Sequence, residues 1–334
     1  MGNKILVGTL GSEIYQLESS GEVKNAKEGT KFRVLSKDMS GHYSPNYVTN
    51  EVWGLGFLDE HQYMTCSDDG TIRVWDSNRQ EQVTWGDLKF DEKLKPLKLK
   101  GTEKFLPDSV HARCLAVSKE GSVVIGCKDG TIRVLDNGLR PTWAKRISKK
   151  EISHIKFSPD GTILGIGAHD GRIYLFDWHE GEAPTIKKGN KIMKHNSYIK
   201  HFDFSRDGNW IHSTCGAYEL LFWNVSTQTQ NTSGATSLRD EEWATWNVTL
   251  GWPVQGIFEP FMDGTDINAV DRSNSSYGGG MKLLASGDDN GKVRLLEYPC
   301  VVKNSKGIYG KGHSSHVTNV QFSSNDKMLI STGG

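Results

Sequence analysis

Residues 69–76 read DGTIRVWD, residues 129–136 read DGTIRVLD and residues 170–177 read DGRIYLFD. Three near-identical octapeptides in one chain mark an internal repeat. Weaker copies keep the same apolar alternation: EIYQLE at 13–18, ELLFWN at 219–224 and KVRLLE at 292–297. In the strong copies an Asp-Gly pair opens the motif, Asp69-Gly70, Asp129-Gly130 and Asp170-Gly171, with Asn290-Gly291 in a weak one. Such pairs supply the positive φ angles of a tight hairpin turn. The alternation after the turn predicts a strand with one buried face. The apolar and small residues before it (YMTCSD, SVVIGCKD, ILGIGAHD, WIHSTCGA, LLASGDD) predict that strand's hairpin partner. Further upstream a third strand ends in polar turn residues: ISHIKFSPDG at 152–161, IKHFDFSRDG at 199–208 and VTNVQFSSND at 317–326.

The copies end at residues 18, 76, 136, 177, 224 and 297, giving spacings of 58, 60, 41, 47 and 73 residues. The two shortest bracket the ~40–45-residue period of WD40 blades, and longer ones need insertions in loops. Three strands per copy, with a fourth from the linker, make four-stranded blades. The expected fold is therefore all-β, a WD40 β-propeller. Seven second-type strands, at 5–10, 63–68, 122–129, 163–170, 210–217, 283–289 and 328–333, predict seven blades of four-stranded antiparallel sheets with incomplete terminal blades. The alternative is a six-bladed ring closed by pairing 317–324 with the N-terminal blade. The chain starts inside a blade and stops at ISTGG (330–334), and so reads as one propeller spanning 1–334, a fragment of a longer protein.

Composition agrees. The chain has 334 residues, 37 of them glycine, with 10 tryptophans and only 9 prolines, a mixture suited to many short strands and tight turns. Forty basic and forty acidic side chains cancel, so no global field draws the protein to nucleic acid or to a membrane. Five cysteines (66, 114, 127, 215, 300), odd in number and without a CxxC pair, fit reduced thiols in a cytoplasmic protein. The start, MGNKILVGTLGSE, is not a signal peptide, and no apolar run approaches the ~18 residues of a membrane span.

Two long interruptions stand out. Residues 77–111 form a lysine-rich connector carrying Lys89, Lys93, Lys95, Lys98, Lys100 and Lys104. Residues 226–281 form an insertion within the sixth blade, whose Trp243, Trp246, Trp252, Phe258 and Phe261 need burial. Within it GWPVQGIFEP (251–260) is expected to be the blade's first strand, with DGTDINAVDRS returning over it. Two more basic groups sit where a blade's outer strand leads onward: Lys145, Arg146, Lys149 and Lys150, then Lys187, Lys188, Lys191 and Lys194. Equivalent connectors of neighbouring blades lie side by side, so these residues are candidates for a basic arc that binds an acidic partner.

The chain contains no GxSxG, HExxH, GxxxxGK[ST] or CxxC, and neither a cofactor nor a metal is expected. The Gly-His pair Gly41-His42 is the WD40 position of a buried histidine. With Ser67, Asp69 and Trp75 it is expected to form a structural hydrogen-bonded tetrad rather than a catalytic site.

At a finer level WNVTLGWPVQGIFEP, DGTDINAV (263–270), LLEYPC (295–300), GHSSHVTNVQFSSND (312–326) and ISTGG resemble the echinoderm microtubule-associated protein-like family. Their order and spacing are similar to the second propeller of that family's tandem-propeller core. EVWGLGF (51–57) and FDFSRDGNWIHSTCGAYELLFWN (202–224) are similar to other blades of the same ring. The 77–111 connector and SNSSYGGG are longer than the family pattern. The resemblance implies a non-catalytic scaffold of the cytoplasmic cytoskeleton. It implies binding to tubulin or microtubules and other proteins through the full-length molecule, which is expected to oligomerise through a coiled coil outside this sequence while the fragment itself is expected to be monomeric. A generic WD40 adaptor in a ciliary or ubiquitin-linked complex is the alternative, and a propeller hydrolase the third reading.

Overall fold

The computed structural model describes residues 4–8, 13–19, 32–43, 51–88, 110–187, 193–260, 262, 266–275 and 281–334. Their strands fall into seven antiparallel sheets in chain order. Blade one has three strands, Lys4–Gly8, Glu13–Ser19 and Phe32–Ser40. Blade two comprises Val52–Phe57, Gln62–Ser67, Thr71–Asp76 and Glu81–Asp87. Blade three comprises Ala112–Val117, Val123–Cys127, Thr131–Leu135 and Pro141–Arg146. Blade four is Ile152–Phe157, Ile163–Ala168 and Arg172–Asp177, with Thr185–Ile186 and Met193–Lys194 both paired to the third strand. Blade five runs Ile199–Phe204, Trp210–Cys215, Leu220–Asn224 and Thr229–Gln230. Blade six runs Ile267–Arg272, Lys282–Asp288, Lys292–Tyr298 and Ile308–Lys311. Blade seven is the hairpin Val317–Phe322 and Leu329–Gly333.

The repeated octapeptides supply the hairpin turns and third strands, and their turn glycines have the required positive φ: Gly70 at +79°, Gly130 at +82° and Gly171 at +80°. From blade two onward, each blade buries its apolar faces against the next. Met64 and Ile72 of blade two pack with Leu115 and Ile125 of blade three. Val124 and Ile132 pack with Ile155, Leu164 and Phe176, and Ile163 and Leu175 with Phe202, Phe204 and Trp223.

Five sheets are complete blades, and the two terminal sheets hold three and two strands, so the expected seven-bladed ring with incomplete terminal blades is seen only in its five complete blades. The ring closes through blade seven, which packs on blade two. Thr318 donates to the Val52 carbonyl, Asn319 to the Trp53 carbonyl at 3.5 Å, and Asn325 to Glu60 at 3.0 Å. Among the described residues 317–322 pair only with 329–333, not with blade one as the six-bladed alternative required.

The aromatic insertion folds differently from expectation. Trp252–Ile257 form a 3-10 helix, not a strand. Pro253 fixes φ and lacks a ladder donor, and Gly251 before it takes φ +125°. The first strand of blade six is instead Ile267–Arg272. The stretch 243–248 wedges between blades five and six, where Trp243, Trp246, Val254 and Ile257 join Phe222 and Leu284 in one core.

One irregularity recurs. The first strand of every blade from two to seven carries a register shift one residue after its start. Each shift extrudes one residue from the ladder, as a β-bulge does: Trp53, Arg113, Ser153, Lys200, Asn268 and Thr318.

Candidate interaction site at the channel mouth

All six extruded residues line one cavity of about 750 Å³ enclosed by the first strands of blades two to seven. The Arg113 guanidinium lies 4.5 Å from the Trp53 ring centroid and reaches Asp68 at 2.7 Å and Glu151 at 3.0 Å. The Trp53 indole N–H donates to Asp68 at 3.4 Å. Across the mouth the His169 and Tyr198 rings stand 4.8 Å apart, with Tyr198 40% exposed. Asn268 donates to Asp289 at 2.6 Å and to the Val317 carbonyl at 3.0 Å. Aromatic and guanidinium groups held by hydrogen bonds and ion pairs around a concave opening suit recognition of another chain.

Behind the cavity-lining Lys156, Thr245 and Asn247, Asp203 is fully buried and accepts five donors: the Lys156 ammonium at 2.7 Å, His212 Nε2 at 3.2 Å, the Asn247 and Val248 amides at 2.6 and 3.2 Å, and the Thr245 hydroxyl. Burial pushes its carboxyl up, but the Lys156 and His212 contacts overcome that and hold it well below the usual carboxylate range. Asp203 thereby fixes the insertion. His212, on its other side, stacks on Trp243 with centroids 3.6 Å apart. His154 and His201 meet edge to face at 5.4 Å, and burial holds both below the ordinary imidazole range, His201 at about 3. Asp271 is the opposite case: burial raises it to about 7, although Phe322 N–H and Asn247 donate to it at 2.8 and 2.9 Å.

The structure brings His42, Asp69 and Trp75 together, but around Thr65 rather than Ser67. His42 Nδ1 lies 3.0 Å from Asp69, while Nε2 lies 2.8 Å from the Thr65 hydroxyl, which also accepts the Trp75 indole N–H at 2.7 Å. The Ser67 hydroxyl instead accepts the Asp69 amide at 3.2 Å, inside the turn. Blade five repeats the arrangement with Ser213 in the place of Thr65. His195 Nε2 lies 2.7 Å from Ser213, Trp223 donates to Ser213 at 2.8 Å, and Glu219 faces His195 Nδ1 at 3.2 Å. Blade seven keeps His313 and Ser331 at 2.8 Å. The hydroxyl two residues before the turn is the signal that sequence reading missed. Thr65→Val leaves the buried Trp75 indole N–H and the His42 Nε2 without their partner and is expected to lower stability by about 1–3 kcal/mol, while Thr65→Ser loses far less. Equal urea midpoints for the two variants would refute this role.

Of the candidate basic residues, Lys145, Arg146, Lys149, Lys150 and Lys194 are exposed. Arg146 donates to the Asp129 carbonyl at 3.0 Å, and Lys187 is tied to Asp177 at 3.1 Å. Lys150 and Lys194, from successive connectors, line one cleft of about 440 Å³ with Asp170. Lys188 and Lys191 lie outside the described residues, as do the lysines at 89–104. Among the described residues no helix is long and apolar enough to cross a membrane.

Four-stranded blades around a channel, with His, Ser or Thr, and Trp joined between turn and strand, define a WD40-type β-propeller. A sequence model of the echinoderm microtubule-associated protein second β-propeller matches residues 52–334, and the chain belongs to that family. It is 35% identical over 336 residues to human echinoderm microtubule-associated protein-like 2, covering 100% of this chain and 45% of the relative. It is 34% identical over 311 residues to human echinoderm microtubule-associated protein-like 3, covering 91% and 32%. Against the 77 kDa echinoderm microtubule-associated protein of Strongylocentrotus purpuratus it is 33% identical over 338 residues, covering 97% and 45%. The chain thus spans less than half the length of these relatives.

Proposed function

We propose that the chain is a non-catalytic protein-interaction module of a cytoplasmic microtubule-associated protein, and that its protein partner is tubulin or the microtubule. The observation that carries this reading is the family match across residues 52–334, together with relatives named as microtubule-associated. The polar clusters support a non-catalytic role: His42–Asp69, His195–Glu219 and Lys156–Asp203 are partnered pairs inside the blades. Within one propeller of residues 1–334, we assign the basic residues of the blade three and four connectors to an acidic partner surface. The support is that Lys150 and Lys194 converge on one cleft while Lys145, Arg146 and Lys149 stay exposed beside it.

Co-sedimentation with microtubules tests both parts. Reversing Lys149, Lys150 and Lys194 to Glu is expected to weaken binding of the full-length protein about tenfold at low salt, with less effect at high salt because exposed charges are screened. Full-length wild type remaining in the supernatant would remove the microtubule reading; unchanged binding by the triple variant would remove the basic surface alone.

A further inference from the structure

Blade five gathers three groups that blade two does not. His195 comes from the connector before the first strand, Cys215 ends the second strand, and Glu219 lies just before the third. His195 Nδ1 and Cys215 Sγ each lie 3.2 Å from Glu219 Oε2, and the three ligand atoms all stand within 4.8 Å of one another. Around a tetrahedral Zn²⁺ with bonds of about 2.0–2.3 Å, ligand atoms stand about 3.4–3.6 Å apart. We propose that His195, Cys215 and Glu219 form a binding site for a borderline-soft divalent cation, Zn²⁺ being the best-fitting occupant.

The surroundings hold the ligands in place. Ser213 lies 2.7 Å from His195 Nε2 and also accepts the Trp223 indole N–H. A proton kept on Nε2 leaves the Nδ1 lone pair for the metal, the usual outer partner of a ligating histidine. The Asn196 amide donates to Glu219 Oε2 at 3.0 Å, its side chain donates to Oε1, and the Ala217 amide donates to Cys215 Sγ at 3.4 Å. The cleft of about 440 Å³ beside His195 and Asn196 gives water access to a fourth position. Lys150 and Lys194 in that cleft oppose a cation, and Asp170 favours one. Coordination releases the thiol proton to solvent, so binding tightens as pH rises.

The simplest competing account is that these side chains only hydrogen-bond to one another, as in blade two. Blade two supplies the internal control. Its His42 and Asp69 match His195 and Glu219, but where blade five has Cys215 it has Ser67, whose hydroxyl accepts the turn amide of Asp69. Among the described residues the His195, Cys215 and Glu219 trio is the one such cluster.

The test uses Zn²⁺ in chelator competition and Co²⁺ as a spectroscopic probe on the purified chain. One Zn²⁺ per chain is expected, with a thiolate-to-cobalt charge-transfer band in the Co²⁺ form. Cys215→Ser, which rebuilds the blade two arrangement, should lose that band and bind Zn²⁺ at least about tenfold more weakly, with metal-free melting unchanged. The proposal is overturned if wild type shows no band at saturating Co²⁺, or if the band and Zn²⁺ affinity survive Cys215→Ser. Should that variant fail to fold, Glu219→Gln takes its place: weakened Zn²⁺ binding supports the site, and wild-type affinity overturns it.

Discussion

Asp203→Ala is expected to destabilise the chain by about 3–5 kcal/mol, the cost of leaving a buried charge without its partner. Asp203 is fully buried and accepts five donors, among them the Lys156 ammonium, so truncation leaves Lys156 without its carboxylate, with only the neutral Thr245 and Asn247 oxygens, and frees both amides that hold 247–248. Asp203→Asn keeps the shape and loses the charge, and should fall between. The pH dependence has a definite sign. The folded carboxyl is held below its ordinary value, so its stabilisation is complete above the unfolded pKa of ~3.9. It is lost as pH falls through the lower folded value. Asp271 works the other way, being raised to about 7 by burial: its contribution is present at acid pH and fades between about 4 and 7. Chemical denaturation of wild type and Asp203→Ala at pH 7 decides the matter. A difference under about 1 kcal/mol, within the range of ordinary surface changes, would show that Asp203 is not the anchor of the insertion.

Gly130→Ala should be the next most damaging change. Gly130 sits at φ +82°, and an added Cβ would collide with the Ser148 carbonyl and meet the Lys150 carbonyl at 2.6 Å. Gly121 is the matched control, with φ +92° and nothing within 4 Å of its added Cβ. Both variants suffer the left-handed backbone, about 1–2 kcal/mol for alanine. Only Gly130→Ala also displaces the connector, for about 1–3 kcal/mol more. Thermal melts of the two variants should separate by several degrees, and coincident melts would contradict the packing of 148–150 over the turn.

The sequence shows the blades because period-two alternation and Asp-Gly turns are local signals, and the three octapeptides lie where they were placed. What it hid depends on reach and register. Thr65 and Ser67 share one strand face, so alternation alone cannot say which hydroxyl the Trp75 indole meets. GWPVQGIFEP reads as a strand because its apolar residues call for burial, yet after the turn at Gly251 and Pro253 it forms a 3-10 helix that buries Val254 and Ile257 and leaves Trp252 exposed. Asp203 and His212 carry no motif, since their partners lie in an insertion some forty residues away. The trio of His195, Cys215 and Glu219 carries no recognised metal-ligand spacing, because His195 comes from the connector twenty residues before the turn that holds Cys215 and Glu219.

The bulge that recurs in six first strands separates two tasks that usually constrain one another. Ladder residues must keep the ring hydrogen-bonded, and their neighbours must fill the spaces between blades. The extruded residue has no ladder counterpart and lines the opening, so the ladder does not dictate its type: it is a tryptophan, an arginine, a serine, a lysine, an asparagine or a threonine, of which the serine, asparagine and threonine also bond to the next blade's backbone. A propeller built this way carries a rim whose chemistry can change at the tryptophan, arginine and lysine positions without touching the ladders, while the serine, asparagine and threonine positions also tie one blade to the next.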